Sequence, residues 1–143
     1  MPIDHTQDDI QYVKMYILLP LILTAFDRDK KIIEQHIKTP RPYVCFIDAA
    51  MDKVTLDLKE VRRKFRLLGL KVYEETRTEL GIEAKYLCRG YHHSSMLLWS
   101  FIGAECSVLM EKYMGADIKK RFDPTVPGSE RDYDLPTDKD KTT

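Results

Sequence analysis

Apolar residues recur along this chain with three different rhythms, and each rhythm predicts an element. Thr6 is placed to cap a first helix, with Asp8 and Asp9 in the first turn where the helix dipole favours negative charge. Ile10, Val13, Ile17 and Leu21 then share one face by three- and four-residue steps. Pro20 brings no amide donor and crowds the carbonyl four residues back, which predicts a kink or a fresh helix start. Beyond it, Ile22, Ala25, Phe26, Ile33 and Ile37 continue an apolar stripe opposite Asp27, Arg28, Asp29, Lys30 and Lys31. Thr39-Pro40-Arg41-Pro42 ends this segment, because each proline disfavours helical geometry in the residue before it.

The most regular pattern follows at once. Ile47, Met51, Val54, Leu58, Val61, Phe65 and Leu68 alternate steps of four and three and form an unbroken seam on one helix face. Paired with a parallel copy, Met51, Leu58 and Phe65 take the a positions, and Ile47, Val54, Val61 and Leu68 take d. Asp57 and Arg62 then face each other across the pair. Tyr43, Val44, Phe46 and Leu56 lie off the seam, so this helix needs further apolar neighbours and reads as the central helix of a domain. The seam serves packing within the chain, with dimerisation as its second use.

Gly69 is placed to stop that helix in the left-handed region, and the period then changes to two. Lys71 to Thr76 and Ile82 to Cys88 approximate apolar-polar alternation around a turn containing Gly81. A β-hairpin over about residues 70–89 is expected, with Val72, Ile82, Ala84, Tyr86 and Cys88 on one face. The competing reading keeps Val72 to Leu87 helical. Arg89-Gly90 breaks the pattern, and Ser94 or Ser95 would cap a last helix carrying Leu97, Leu98, Phe101, Ile102, Leu109, Met110 and Tyr113 to a stop at Gly115. The expected fold is α+β and predominantly α-helical, with three to four helices and one β-hairpin before the last helix. A single domain spans 1–115, and the polar, proline-containing tail 116–143 is expected to be disordered or extended.

Composition changes this picture little. The 143 residues are 43% hydrophobic and 32% charged with zero formal net charge, so any electrostatic case for nucleic acid must come from a local patch. Cys45, Cys88 and Cys106 are three and widely spaced, which argues against a disulfide framework or a ribbon-type zinc site. A cytoplasmic setting is the expectation, with no signal peptide. Met15 to Phe26 is apolar for only twelve residues, short of the roughly 18–20 a membrane span needs, so no membrane role is expected.

Three constellations could carry function. Cys88, His92 and His93 could hold a metal, with Cys106, His36 or His5 brought in by the fold, or Cys88 or Ser94 could act as a nucleophile with His92 as base. The spacing matches no ligand pattern and no catalytic motif accompanies it, so neither a cofactor nor a small-molecule substrate is indicated. Lys59, Arg62, Arg63, Lys64 and Arg66 form a basic run before the hairpin. That order resembles the helix-then-wing arrangement of winged-helix DNA-binding proteins. The amphipathic helices, the seam, eight tyrosines and the tail residues Phe122, Val126, Tyr133 and Leu135 suit protein partners.

The leading expectation is a small non-enzymatic regulatory or adaptor protein that binds a protein partner and self-associates as a homodimer. A winged-helix-like regulator contacting nucleic acid through the basic run is the alternative. A small enzyme or metal site around Cys88, His92 and His93 ranks third.

Overall fold

The structure, a computed structural model, describes residues 5–121 and 133–136. Helix α1 (Gln7–His36) and helix α2 (Arg41–Leu68) form a helical hairpin. Its antiparallel sense shows in the Tyr16–Phe65 ring stack at one end and the Lys30–Asp48 ion pair, 2.7 Å, at the other. Strands β1 (Leu70–Arg77), β2 (Gly81–Cys88) and β3 (Tyr91–Leu98) follow as an antiparallel meander in the order β1-β2-β3. Helix α3 (Trp99–Tyr113) and a short 3-10 turn (Ile118–Arg121) complete the described elements. The fold is α+β and mostly helical, with the expected hairpin before the last helix.

Local chemistry accounts for the helix ends. Thr6 caps α1 reciprocally with Asp9: the Asp9 amide donates to the Thr6 hydroxyl, and the Asp9 carboxylate accepts from the Thr6 amide. Pro20 stays inside one continuous helix, so no second helix starts there. Gly69 ends α2 at φ +67°, where a side chain would be strained and would press on the Arg89 side chain.

Helix α1, and not α2, is the central helix. Tyr12, Val13, Met15, Ile17, Leu18, Leu19 and Ile22 are all buried, which covers nearly the whole circumference. A helix apolar all round requires neighbours on every side. Helices α2 and α3 provide two of them. The segment 133–136 provides another, since Tyr133 is buried, the Tyr12 hydroxyl donates to the Pro136 carbonyl, and Lys112 donates to the Tyr133 carbonyl. This part of the tail is packed against the helices. The start of the expected tail is also described and holds the 3-10 turn Ile118–Arg121, while its other residues, including Phe122 and Val126, fall on 122–132 and 137–143, outside those described. Helix α1 is also long and apolar enough to cross a membrane by length and composition, and half of that stretch is buried in the fold.

The sheet adds one strand to the expected hairpin. Arg89 and Gly90 both adopt positive φ, 49° and 88°, as a two-residue type I′ turn requires, and Cys88 pairs with Tyr91 across it. Residues 91–98 are therefore strand, and α3 starts at Trp99 rather than at a Ser94 or Ser95 cap. Leu97 and Leu98 belong to β3. The packed face of the sheet is built from Ile82, Ala84, Tyr86 and Cys88, as the alternation predicts.

Candidate functional site

The chemistry-bearing cluster Cys88 to Ser95 is divided by the strand alternation it lies in. His93 points to the packed side, where its ring stacks on His5 at 4.2 Å between centroids and lies beside Tyr86. The Tyr86 hydroxyl hydrogen-bonds the His5 imidazole, which ties the residue before the α1 cap to the middle strand. The His93 Nε2 atom is enclosed and has no hydrogen-bond partner among the described residues. His92 points to the opposite face, where the Tyr73 hydroxyl meets its Nδ1 at 3.1 Å. Burial, with lesser contributions from Cys88 and Asp9, pushes the Tyr86 phenol above its ordinary range.

Cys88 is committed elsewhere. Its thiol donates to Asp9 at 3.6 Å, and Arg89 grips the same carboxylate with two nitrogens, the shorter contact being 2.6 Å. Arg89 also donates to the Leu68 carbonyl at the end of α2. Burial alone would raise the Asp9 carboxyl. Hydrogen bonds from Arg89 and Thr6 outweigh it and hold the group below its ordinary value. Asp9, Cys88 and Arg89 thus clasp the start of α1, the end of α2 and the β2–β3 turn together. Cys106 lies away on α3, where burial and then Glu105 push its thiol up to about 11, so it is protonated at neutral pH and a poor nucleophile or ligand. No group of three or more His, Cys, Asp or Glu among the described residues is arranged to hold a metal ion.

The seam helix faces inward. Ile47, Val54, Leu58, Val61 and Phe65 are buried in the core, and Met51 and Leu68 are half-buried against it. These side chains are covered by the rest of the chain, so the seam in this fold is not a surface that a second copy can use. Asp57, offered to a partner's arginine in a paired seam, instead accepts a 2.6 Å hydrogen bond from Tyr113. The basic run is distributed around α2. Lys59, Arg62 and Arg66 are exposed on one flank, Arg63 is engaged by Glu60 at 2.6 Å within the helix, and Lys64 is buried.

The most distinctive surface is the sheet edge at β3, whose second half was expected to begin the last helix. Among the described residues, β3 pairs only with β2, and its other edge has no strand partner. Its eight residues contain no lysine, arginine, aspartate or glutamate. Met96 and Leu98 are exposed on its outer face, and Leu80 and Trp99 continue the apolar surface at the end of the strand. The Trp99 indole donates to the Thr78 carbonyl and its amide to the Leu80 carbonyl, which fixes this corner of the sheet. The opposite edge is guarded differently. β1 carries a bulge between Val72 and Glu74 together with Lys71, Glu74, Glu75 and Arg77. The signal for β3 was present as an uncharged eight-residue run, but His, Ser and Tyr at its inward positions hid the period of two.

No curated protein and no solved structure matches this chain. A family model described as YhjD protein matches residues 4–118, which run from just before the α1 cap to just past α3. The chain belongs to the YhjD protein family.

Proposed function

We propose that this protein acts by binding, as a small non-enzymatic adaptor or regulator that pairs with a second copy of itself along the outer edge of β3. The observation that carries this reading is the contrast between the two edges of one sheet. Edge strands expose backbone donors and acceptors that template pairing with another chain, and proteins blunt them with charges, bulges or proline. β1 has the bulge and four charged side chains, whereas β3 has none of these.

A second copy is the occupant best matched to β3. An antiparallel pair of identical strands meets no like-charge repulsion at lysine, arginine, aspartate or glutamate, and it covers the exposed Met96 near the middle of the pair. The commitment of Cys88, Asp9 and Arg89 to one internal clasp, and the pointing of His92 and His93 to opposite faces, favour binding over catalysis.

Amide hydrogen exchange at increasing protein concentration tests the interface. The account predicts that β3 amides gain protection as concentration rises while β1 amides do not. Exchange in β3 that is independent of concentration would remove the support for pairing at this edge.

A further inference from the structure

A second feature lies on the other side of the sheet, where the β1–β2 hairpin overhangs the helical hairpin. A cleft of about 230 Å³ opens there between α1, α2 and the two strands. Its floor is made of core residues, with Ile17, Leu58 and Ile82 all buried and the Tyr16 ring beside them. Its rim carries Arg62 from α2 and Glu75 and Arg77 from β1. None of these three makes an ion pair with another described residue, and the rim has an excess of one positive charge.

The placement of the strand residues is unusual. Glu75 pairs with Ala84 and Arg77 with Ile82, and both partners are buried, so Glu75 and Arg77 lie on the packed side of the sheet. At the start of the same strand the inward positions are Leu70 and Val72, and the change of character falls at the bulge. Inward charges can protect an edge from pairing. That explains Glu75 and Arg77 but not Arg62, which reaches the same cleft from a different element.

We propose that this cleft binds a small apolar carboxylate, its carboxyl group held by Arg62 and Arg77 and its hydrocarbon body laid on Ile17, Leu58 and Ile82. A guanidinium presents a planar fork that matches a carboxylate, and two of them above an apolar floor select an anionic head on an apolar body. An uncharged molecule of the same shape would forgo both charge-assisted hydrogen bonds. A bare anion would leave the floor uncovered. Small-ligand sites share this construction of an apolar lining with a few convergent polar groups.

Titration of the full chain with hexanoate, octanoate and benzoate, followed by calorimetry and by methyl and aromatic NMR shifts, tests the proposal. Saturable binding of at least one acid is expected, with shifts at Tyr16, Ile17, Leu58 and Ile82. The affinity should fall by about tenfold or more in Arg62→Gln and in Arg77→Gln, since each loses a charge-assisted hydrogen bond. Both arginines are exposed, so the folded chain should survive either change, and circular dichroism verifies it. The matching alcohol, 1-hexanol, should bind about tenfold more weakly than hexanoate. No saturation with any of the three acids, equal binding of 1-hexanol, or unchanged affinity in the double arginine variant would each overturn the proposal.

Discussion

Arg89 is asked to do two things at once. Its backbone sits at φ 49°, a region that costs an ordinary side chain energy, while its guanidinium closes the clasp on Asp9 and Leu68. The two roles can be separated experimentally. Asparagine tolerates the left-handed region but has no charge to offer, so Arg89→Asn leaves the turn formed and the Asp9 carboxylate buried without its cation. Removing one partner of such a pair is strongly destabilising. Because Arg89 is partly exposed, we expect a loss at the lower end, about 3 kcal/mol in urea unfolding. A loss no larger than that of a surface substitution would contradict the clasp.

The same pair sets an acid response. The Asp9 carboxyl is depressed when folded, so it contributes stability that is complete above its ordinary value of 3.8 and is lost as pH falls through the lower folded value. Asp9→Asn should therefore flatten the stability-against-pH curve below about pH 4, at the cost of lower stability at neutral pH. Unfolding curves for both proteins across the acid range measure it. Sequence reading placed Asp9 correctly in the first turn of α1 but gave it only a dipole role. Its ion-pair partner lies 80 positions away, and no local spacing announces a contact of that range.

At the scale of elements, α2 and the hairpin were legible because their patterns are one-sided. The seam steps of α2 and the inward face of β2 both read directly as burial, and the structure buries them. Helix α1 was harder because burial on all sides erases the very periodicity used to find a face. The expected stripe included Ile10 and Ile37, which are exposed, and passed over Tyr12, Met15 and Leu19, which are not. Strand β3 failed for a related reason, since its inward residues Tyr91, His93, Ser95 and Leu97 include only one strong hydrophobe. The seam also makes a sharp prediction about its own role. Leu58→Ala should cost about 2–5 kcal/mol of unfolding free energy, as truncation in a packed core does, while Leu56→Ala on the exposed side should cost little. If the seam instead paired two copies, Leu58→Ala would shift the oligomeric state and leave monomer stability unchanged.

At the scale of the whole molecule, the chain is a helical hairpin closed on one side by a three-stranded sheet and on another by α3 and the segment 133–136. The family match covers this body from residue 4 to residue 118. Its surface is uneven: one sheet edge is charged and bulged, and the other carries no lysine, arginine, aspartate or glutamate and ends in exposed Met96 and Leu98. Self-association is a proposal whose first hint in the sequence was the seam of α2. The seam that suggested it is used for the core, and the surface that supports it emerged only once residues 91–98 were seen to be strand.

The most direct test is light scattering coupled to size exclusion from micromolar to millimolar concentration, on the wild type and on a Ser94→Lys/Met96→Lys variant. Both positions are exposed on β3, so the two lysines should leave the monomer folded while bringing four like charges together in a paired edge. The account predicts a dimer that forms with rising concentration in the wild type and a monomer throughout in the variant. A wild type that stays monomeric at every concentration, or a variant that dimerises equally well, would contradict it.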